Sequence, residues 1–224
     1  MSDDVDGAET QEPDRPRVST REKRFELTAV ILLAITALAT AWSGYQASLW
    51  DGLQSSSYTQ ASAARTDAAQ LRTEANQYRI ADLTVFQAHV NALLAGDQEG
   101  ADFYSERFRD EFAVAYEAWV ELDPLTNSDA PATPLAMPEY QLASEQSATE
   151  LEAKADRLFA AGEDANAVSD VYTLTTLLFA VVLFFTAVSE RFEYERVRVA
   201  LLALGAIGLV SGLSVALAQP ITAG

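Results

Sequence analysis

Apolar residues in this chain are gathered into three long runs, and between the first and second they thin to a regular minority of positions. Residues 27–42, 171–189 and 199–217 contain no Asp, Glu, Lys, Arg or His. A helix rises about 1.5 Å per residue, so about 20 such residues cross a hydrocarbon core about 30 Å thick. The first run is the shortest, but 43–47 extends it without a charge. The pattern predicts an all-α membrane protein with transmembrane helices at 25–45, 169–190 and 199–219.

The segment between the first two runs has a different period. Small or apolar residues recur at steps of three and four through Ala61, Ala64, Ala68, Leu71, Ala75, Tyr78, Asp82, Val85, His89 and Ala92. That is a heptad seam. Ala34, Ala37, Ala41, Gly44 and Ser48 repeat the spacing inside the first run, with a one-residue slip between the two registers. Pro is absent from 44–95, so a helix at 46–95 is expected to leave the membrane unbroken and end at Gly96, where Gly96-Asp-Gln-Glu-Gly100 has the composition of a turn.

A second helix is predicted at 101–122, with Tyr104, Phe108, Phe112, Ala115 and Trp119 on one face and Glu106, Asp110, Glu117 and Glu121 largely on the other. Pro124, Pro131, Pro134 and Pro138 mark a loop. A third helix, 138–168, starts near Pro138, a suitable first-turn residue, with a bend allowed by Gly162, Asp164 and Asn166. Residues 45–95 rise roughly 75 Å, and return helices of about 22 and 30 residues descend roughly 78 Å together. The expected architecture is a long coiled-coil-like helical hairpin over 46–168, one ascending limb matched by two descending pieces. So thin a limb with an alanine seam buries little side chain, which predicts a homo-oligomer.

Charge orients the spans. Arg15, Arg17, Arg21, Lys23 and Arg24 precede the first run, and Arg191, Arg196 and Arg198 lie between the second and third. Positive charge close to membrane ends favours the cytoplasmic side. The reading is a cytoplasmic membrane protein with a cytoplasmic tail at 1–24 and turn at 191–198, and an extracytoplasmic C-terminus at 220–224. Residues 1–14 have the composition of a disordered segment. Trp42, Tyr45 and Trp50 fall where an interfacial aromatic belt would sit. Ala37-Leu-Ala39-Thr-Ala41 resembles a signal-peptidase site, but the preceding polar tail is long and the helical pattern continues past it, so no cleavage is expected.

Composition narrows the chemistry. The absence of cysteine excludes disulfides, thiolate metal sites and a cysteine nucleophile. Residues 51–170 hold 22 acidic against 7 basic residues, a surface that repels nucleic acid and anionic lipid. Lysine occurs only at Lys23 and Lys154. A salt-adapted organism or a GC-rich genome would each account for that bias.

Few residues suggest a site. His89, the one histidine, lies a heptad from Asp82, but a metal needs three or four convergent ligands, and a seam histidine is ordinarily a packed residue. Asp97, Glu99 and Asp102 cluster near the expected turn without calcium-loop spacing, so a solvated acidic turn is the default. Gly205, Gly208 and Gly212 form a small-residue stripe on the third run, which together with Ala34, Ala37, Ala41 and Gly44 reads as helix packing, the partner helix being open. Thr173, Thr175, Thr176 and Thr186 polarise the second run, but threonine can bond back to its own helix. Ionisable groups are missing from all three runs, which argues against a proton relay. No phosphate loop, nucleophile elbow, HExxH or paired-carboxylate motif is present, so neither enzymatic activity nor a cofactor is expected.

The blocks Ala41-Trp-Ser-Gly-Tyr-Gln-Ala-Ser-Leu-Trp50, Asp123-Pro-Leu-Thr-Asn127, Pro134-Leu-Ala-Met-Pro-Glu-Tyr-Gln-Leu142 and Tyr172-Thr-Leu-Thr-Thr-Leu-Leu-Phe-Ala180 resemble those of a family of uncharacterised prokaryotic membrane proteins. The resemblance covers nearly all of 25–218. It implies one membrane helix, an external helical segment and a C-terminal membrane hairpin, and it brings no activity, ligand or catalytic residue. The leading functional expectation is a membrane scaffold or accessory subunit whose partners are the bilayer, its own copies and a further membrane or extracytoplasmic protein. The alternatives are an extracytoplasmic sensory or ligand-binding module acting through a separate partner, and an oligomeric pore.

Overall fold

The structure, a computed structural model, describes residues 20–192 and 194–222, so the disordered segment expected at 1–14 lies outside the described residues. Its elements are α1 Thr20–Ala95, α2 Gln98–Ser105, α3 Asp110–Val120, a 3-10 turn at Pro134–Ala136, α4 Ala143–Ser189 and α5 Glu195–Ala218. No strand occurs among the described residues. Helices α1, α4 and α5 each contain a stretch long and apolar enough to cross a membrane. The chain divides into two compact units: an apolar unit of Met1–Trp50 with Ala167–Gly224, and an acidic unit of Asp51–Asn166.

Helix α1 stops where its sequence provides a left-handed residue. Gly96 has φ +73, its N–H donates to the Leu93 carbonyl, and the Asp97 N–H reaches back to Ala92. This paired 5→2 and 6→1 bonding satisfies two otherwise orphaned carbonyls at the helix end. Helix α1 also continues through Ala37-Leu-Ala39-Thr-Ala41, the signal-peptidase-like sequence.

In the acidic unit α1 and α4 are antiparallel. Arg79 pairs with Glu145, Arg72 with Glu152, Arg65 with Asp156, Tyr58 with Glu163 and Gln54 with Asn166, so numbers rise on one helix as they fall on the other. Exposed ion pairs of this kind contribute little each, but they fix register. Between them lies a seam of buried small residues: Ala61, Ala64, Ala68 and Ala75 from α1, Ala148, Ala155 and Ala165 from α4. Gly162 belongs to this seam and does not interrupt the helix, which continues through it to Ser189. A β-carbon there would lie 2.5 Å from the Tyr58 ring. The glycine is a notch for that ring.

Two expectations about helices fail here. The helix expected at 101–122 is broken into α2 and α3, and the third helix begins at Ala143 rather than near Pro138. Arg109 is the cause of the break: it turns to extended backbone, φ −65 and ψ 149, and sends its guanidinium to the buried Asp82. The late start of α4 has the same origin, since the Pro138–Leu142 segment must bring the Tyr140 hydroxyl to Asp82. Helix α3 does not descend. Arg109 meets Asp82, Phe112 meets Phe86 and Tyr116 meets His89, so α3 runs parallel to α1.

The apolar unit is built around Ala29 and Leu32 of α1, Phe179 and Val182 of α4, and Leu202 and Leu209 of α5. Gly205, Gly208 and Gly212 pack chiefly against α4. A β-carbon at Gly212 would stand 2.4 Å from Phe179, one at Gly208 2.7 Å from Val182, and one at Gly205 3.0 Å from Thr186 and 3.2 Å from Leu32. The stripe expected on α1 is not the one that packs within the chain. Ala34, Ala37 and Ala41 are exposed, and a side chain on the half-buried Gly44 would meet nothing within 4 Å. The buried face is Ala29, Leu32, Thr36, Ser43 and Gln46. Its rotation follows from complementarity and polarity: Leu32 fills the space left by Gly205, and Gln46 needs partners that it finds at Thr222.

Several threonine hydroxyls in the apolar unit are satisfied locally. Thr36, Thr40, Thr175, Thr176 and Thr186 each donate to the carbonyl four residues back. Without water a helix keeps its hydrogen bonds internal, and these hydroxyls follow the same rule. Past the end of α5, Gln46 donates to the Thr222 carbonyl at 3.1 Å and accepts from its N–H at 3.2 Å, while the Tyr172 hydroxyl donates toward the carbonyls of Pro220, at 3.2 Å, and Ala216.

Candidate functional site

Chemistry-bearing side chains collect where α2, α3 and the 134–142 segment fold over the last four turns of α1. Phe112 is fully buried there, with Phe86 and Phe108 edge-on to it at 5.9 and 4.9 Å and Tyr140 at 6.0 Å. Edge-to-face rings of this kind add to the area they bury. The Phe108-x-x-x-Phe112-x-x-x-Tyr116 spacing supplies the rings, and the break before α3 aims them at α1.

Asp82 is only 3% exposed. Its Oδ2 accepts from Arg109 Nη1 at 3.1 Å and from the Tyr140 hydroxyl at 2.7 Å. Arg109 also pairs with Glu111 and stacks 3.8 Å above the Tyr78 ring. A buried carboxylate without such partners would be expensive. Burial, and then the bond to Asp82, push the Tyr140 phenol far above its ordinary range, holding it as a neutral donor. The three groups form a closed structural network.

His89 is equally committed. Its Nδ1 lies 2.8 Å from the Ala101 carbonyl, an acceptor only, so Nδ1 carries the proton. In that tautomer Nε2 accepts from the Tyr116 hydroxyl, also at 2.8 Å. Burial raises the Tyr116 phenol, which favours the same arrangement. Both ring nitrogens are therefore engaged. His89 and Asp82 lie on one face of α1 but bond to different partners, and no cluster of three or more metal-ligating side chains occurs among the described residues.

The acidic turn has a structural role too. Asp97 is the N-cap of α2, its Oδ1 accepting from the Gly100 N–H at 2.9 Å, and a side chain on Gly100 would collide with that carboxylate. Asp102 accepts from Gln98 at 2.8 Å. Glu99 lies in the first turn of α2, where a negative charge suits the helix dipole.

Sequence reasoning did not find the groove beside this cluster. A depression of about 440 Å³ lies between the end of α1 and α3, walled by Phe86, Val90, Leu93 and Leu94 on one side and Tyr116, Trp119 and Val120 on the other. Asp123, Pro124, Leu125 and Thr126 close one end. Asp123 has φ +49, the left-handed conformation that turns the chain there. Leu94 is 80% and Leu125 96% exposed. Trp119 is fixed by its Nε1, which donates to the Pro131 carbonyl at 2.6 Å. The signal available in the sequence was an unpaired aliphatic, Leu125, set in a polar loop rich in proline. Comparison with known proteins adds no assignment to this geometry: no family model matches the chain, and no curated protein or solved structure matches it either.

Proposed function

We propose that this protein is a non-enzymatic integral membrane scaffold or accessory subunit. On this reading α1, α4 and α5 insert in the cytoplasmic membrane, with the N-terminus and the 191–198 turn in the cytoplasm. The acidic unit is then a coiled-coil-like hairpin held outside, where it contacts a partner protein or further copies of itself. Membership of a prokaryotic three-span family belongs to the same reading.

The observation that carries it is the outward face of the apolar unit. Leu38, Leu174, Phe184, Ile207 and Leu217 are all more than half exposed, along helices whose apolar stretches are long enough to span a bilayer. Large apolar side chains exposed along three such helices are unsuited to water and suited to lipid. The buried Asp82 and His89 of the acidic unit, by contrast, are engaged by Arg109, Tyr140, Tyr116 and the Ala101 carbonyl, which supports a structural role for them over a catalytic one. Ala34, Ala37 and Ala41, exposed within one chain, are available for close helix contact between copies.

Affinity purification in mild detergent with mass-corrected light scattering tests the proposal. The expected result is a protein mass that is a multiple of 24.3 kDa, or a stoichiometric partner. A monomer without a partner overturns it. The groove favours a second reading, a ligand-binding sensory module that signals through a separate protein; a thermal shift with a small apolar ligand, absent from a groove variant, would favour that one.

A further inference from the structure

We infer that the groove between the end of α1 and α3 is the docking site for a basic amphipathic helical segment of a partner protein. The inference rests on the scaffold reading and names the class of partner. Its floor, Phe86 and Trp119, is apolar and rigid, with Trp119 pinned to Pro131. Its rims carry Leu94 and Leu125, side chains that a ligand buried in the groove alone would leave in water but an overlying helix would cover.

Charge selects the partner. Residues 78–142 contain twelve carboxylates and three arginines. All three arginines are engaged within the chain: Arg79 with Glu145, Arg109 with Asp82 and Glu111, and Arg107 with the Phe103 carbonyl and ring. The groove thus has a carboxylate, Asp123, at its wall, in a segment where carboxylates outnumber arginines twelve to three, and a field of that sign steers and orients Lys and Arg flanking an apolar helix face. A second copy would bring the same negative field, and an anionic lipid surface would be repelled.

The test uses the full chain in zwitterionic phosphatidylcholine nanodiscs and a fluorescent Leu/Lys helical peptide of roughly 18 residues, long enough for five turns. Controls are a Leu/Glu peptide of the same apolar pattern and empty nanodiscs. The Leu/Lys peptide should bind above the empty discs, with the Leu/Glu peptide at least about tenfold weaker and binding falling as salt rises. The exposed pair Leu94→Ser with Leu125→Ser should weaken binding about tenfold, and Asp123→Asn by a smaller factor, with circular dichroism unchanged. Equal binding to the double variant, equal binding of the Leu/Glu peptide, or none above empty discs overturns the inference. A fall in oligomer mass in the double variant, without peptide binding to the wild type, assigns the groove to a second copy and also overturns it. Retention of a stoichiometric native partner by a chain that ignores the peptide refutes the groove and leaves the scaffold reading standing.

Discussion

The two units of this protein solve the same problem, holding long helices together, with opposite materials. In the apolar unit the contacts are Gly205, Gly208 and Gly212 against Thr186, Val182 and Phe179, and the hydroxyls of Thr36, Thr40, Thr175, Thr176 and Thr186 bond back to their own helix. In the acidic unit the end of α1 is gripped by fused aromatic packing and by side-chain pairs between elements, Asp82 to Arg109 and His89 to Tyr116. The difference follows the solvent each unit is suited to. Where lipid surrounds the helices, apolar side chains gain nothing by leaving it, so close backbone approach and dispersion do the holding. Where water surrounds them, burying rings is the largest available gain.

The comparison is most sharply tested at Phe112. Phe112→Ala should cost the acidic unit about 3–5 kcal/mol, because the residue is wholly buried among rings that cannot collapse onto the gap. Trp119 is the one tryptophan of that unit, so its fluorescence in a Trp42→Phe, Trp50→Phe background reports the loss in a denaturant melt. Next in size is Arg109→Leu, which leaves Asp82 with only Tyr140. A cost of about 3 kcal/mol is expected, the lower end for a broken buried pair because one donor remains. The combined Asp82→Leu, Arg109→Leu protein should melt above the single variant. A melt below it would refute the network.

In the apolar unit Gly212→Val should cost about 1–3 kcal/mol by forcing its side chain into the Phe179 ring. Hydrogen exchange should quicken along α5 while the Trp119 melt stays unchanged. The smallest effect is a pH one. The Arg79 guanidinium holds the Glu145 carboxyl below its ordinary value of 4.5. A carboxyl depressed on folding contributes stability above its unfolded value and loses it as pH falls through its folded one. The difference between wild type and Glu145→Gln should therefore be constant near neutrality and shrink below pH 4.5. A difference that grows with acid would contradict the assignment.

Long-range periodicity was legible in the sequence, and tertiary override was not. The heptad positions from Ala61 to Ala92 all emerge buried or half-buried, because one repeated step decides them together. The stop at Gly96 was legible because one residue type suits that φ. The break before α3 was hidden, since nothing local in Phe108-Arg109-Asp110 interrupts a helical face; the cause, Asp82, lies 27 residues away. The face that α1 turns inward within the chain was hidden by the same distance effect, since Leu32 and Gln46 are buried by contacts made late in the chain. Asp82 and His89 stand out in the sequence as polar residues in an otherwise small or apolar seam. Their partners Arg109, Tyr140 and Tyr116 could have been sought by asking which donors a buried acid and a buried imidazole require.

On the proposed reading, lipid solvates the apolar unit and the acidic unit stands across the membrane from the 191–198 turn. The chain has no cysteine, so single reporters can be read without background. Ser128→Cys lies in an exposed stretch of the acidic unit and Glu195→Cys at the exposed start of α5. A membrane-impermeant maleimide applied to intact cells should label Ser128→Cys at once and Glu195→Cys only after permeabilisation. Labelling of Glu195→Cys but not Ser128→Cys in intact cells, or recovery of both proteins in the soluble fraction, would contradict the account.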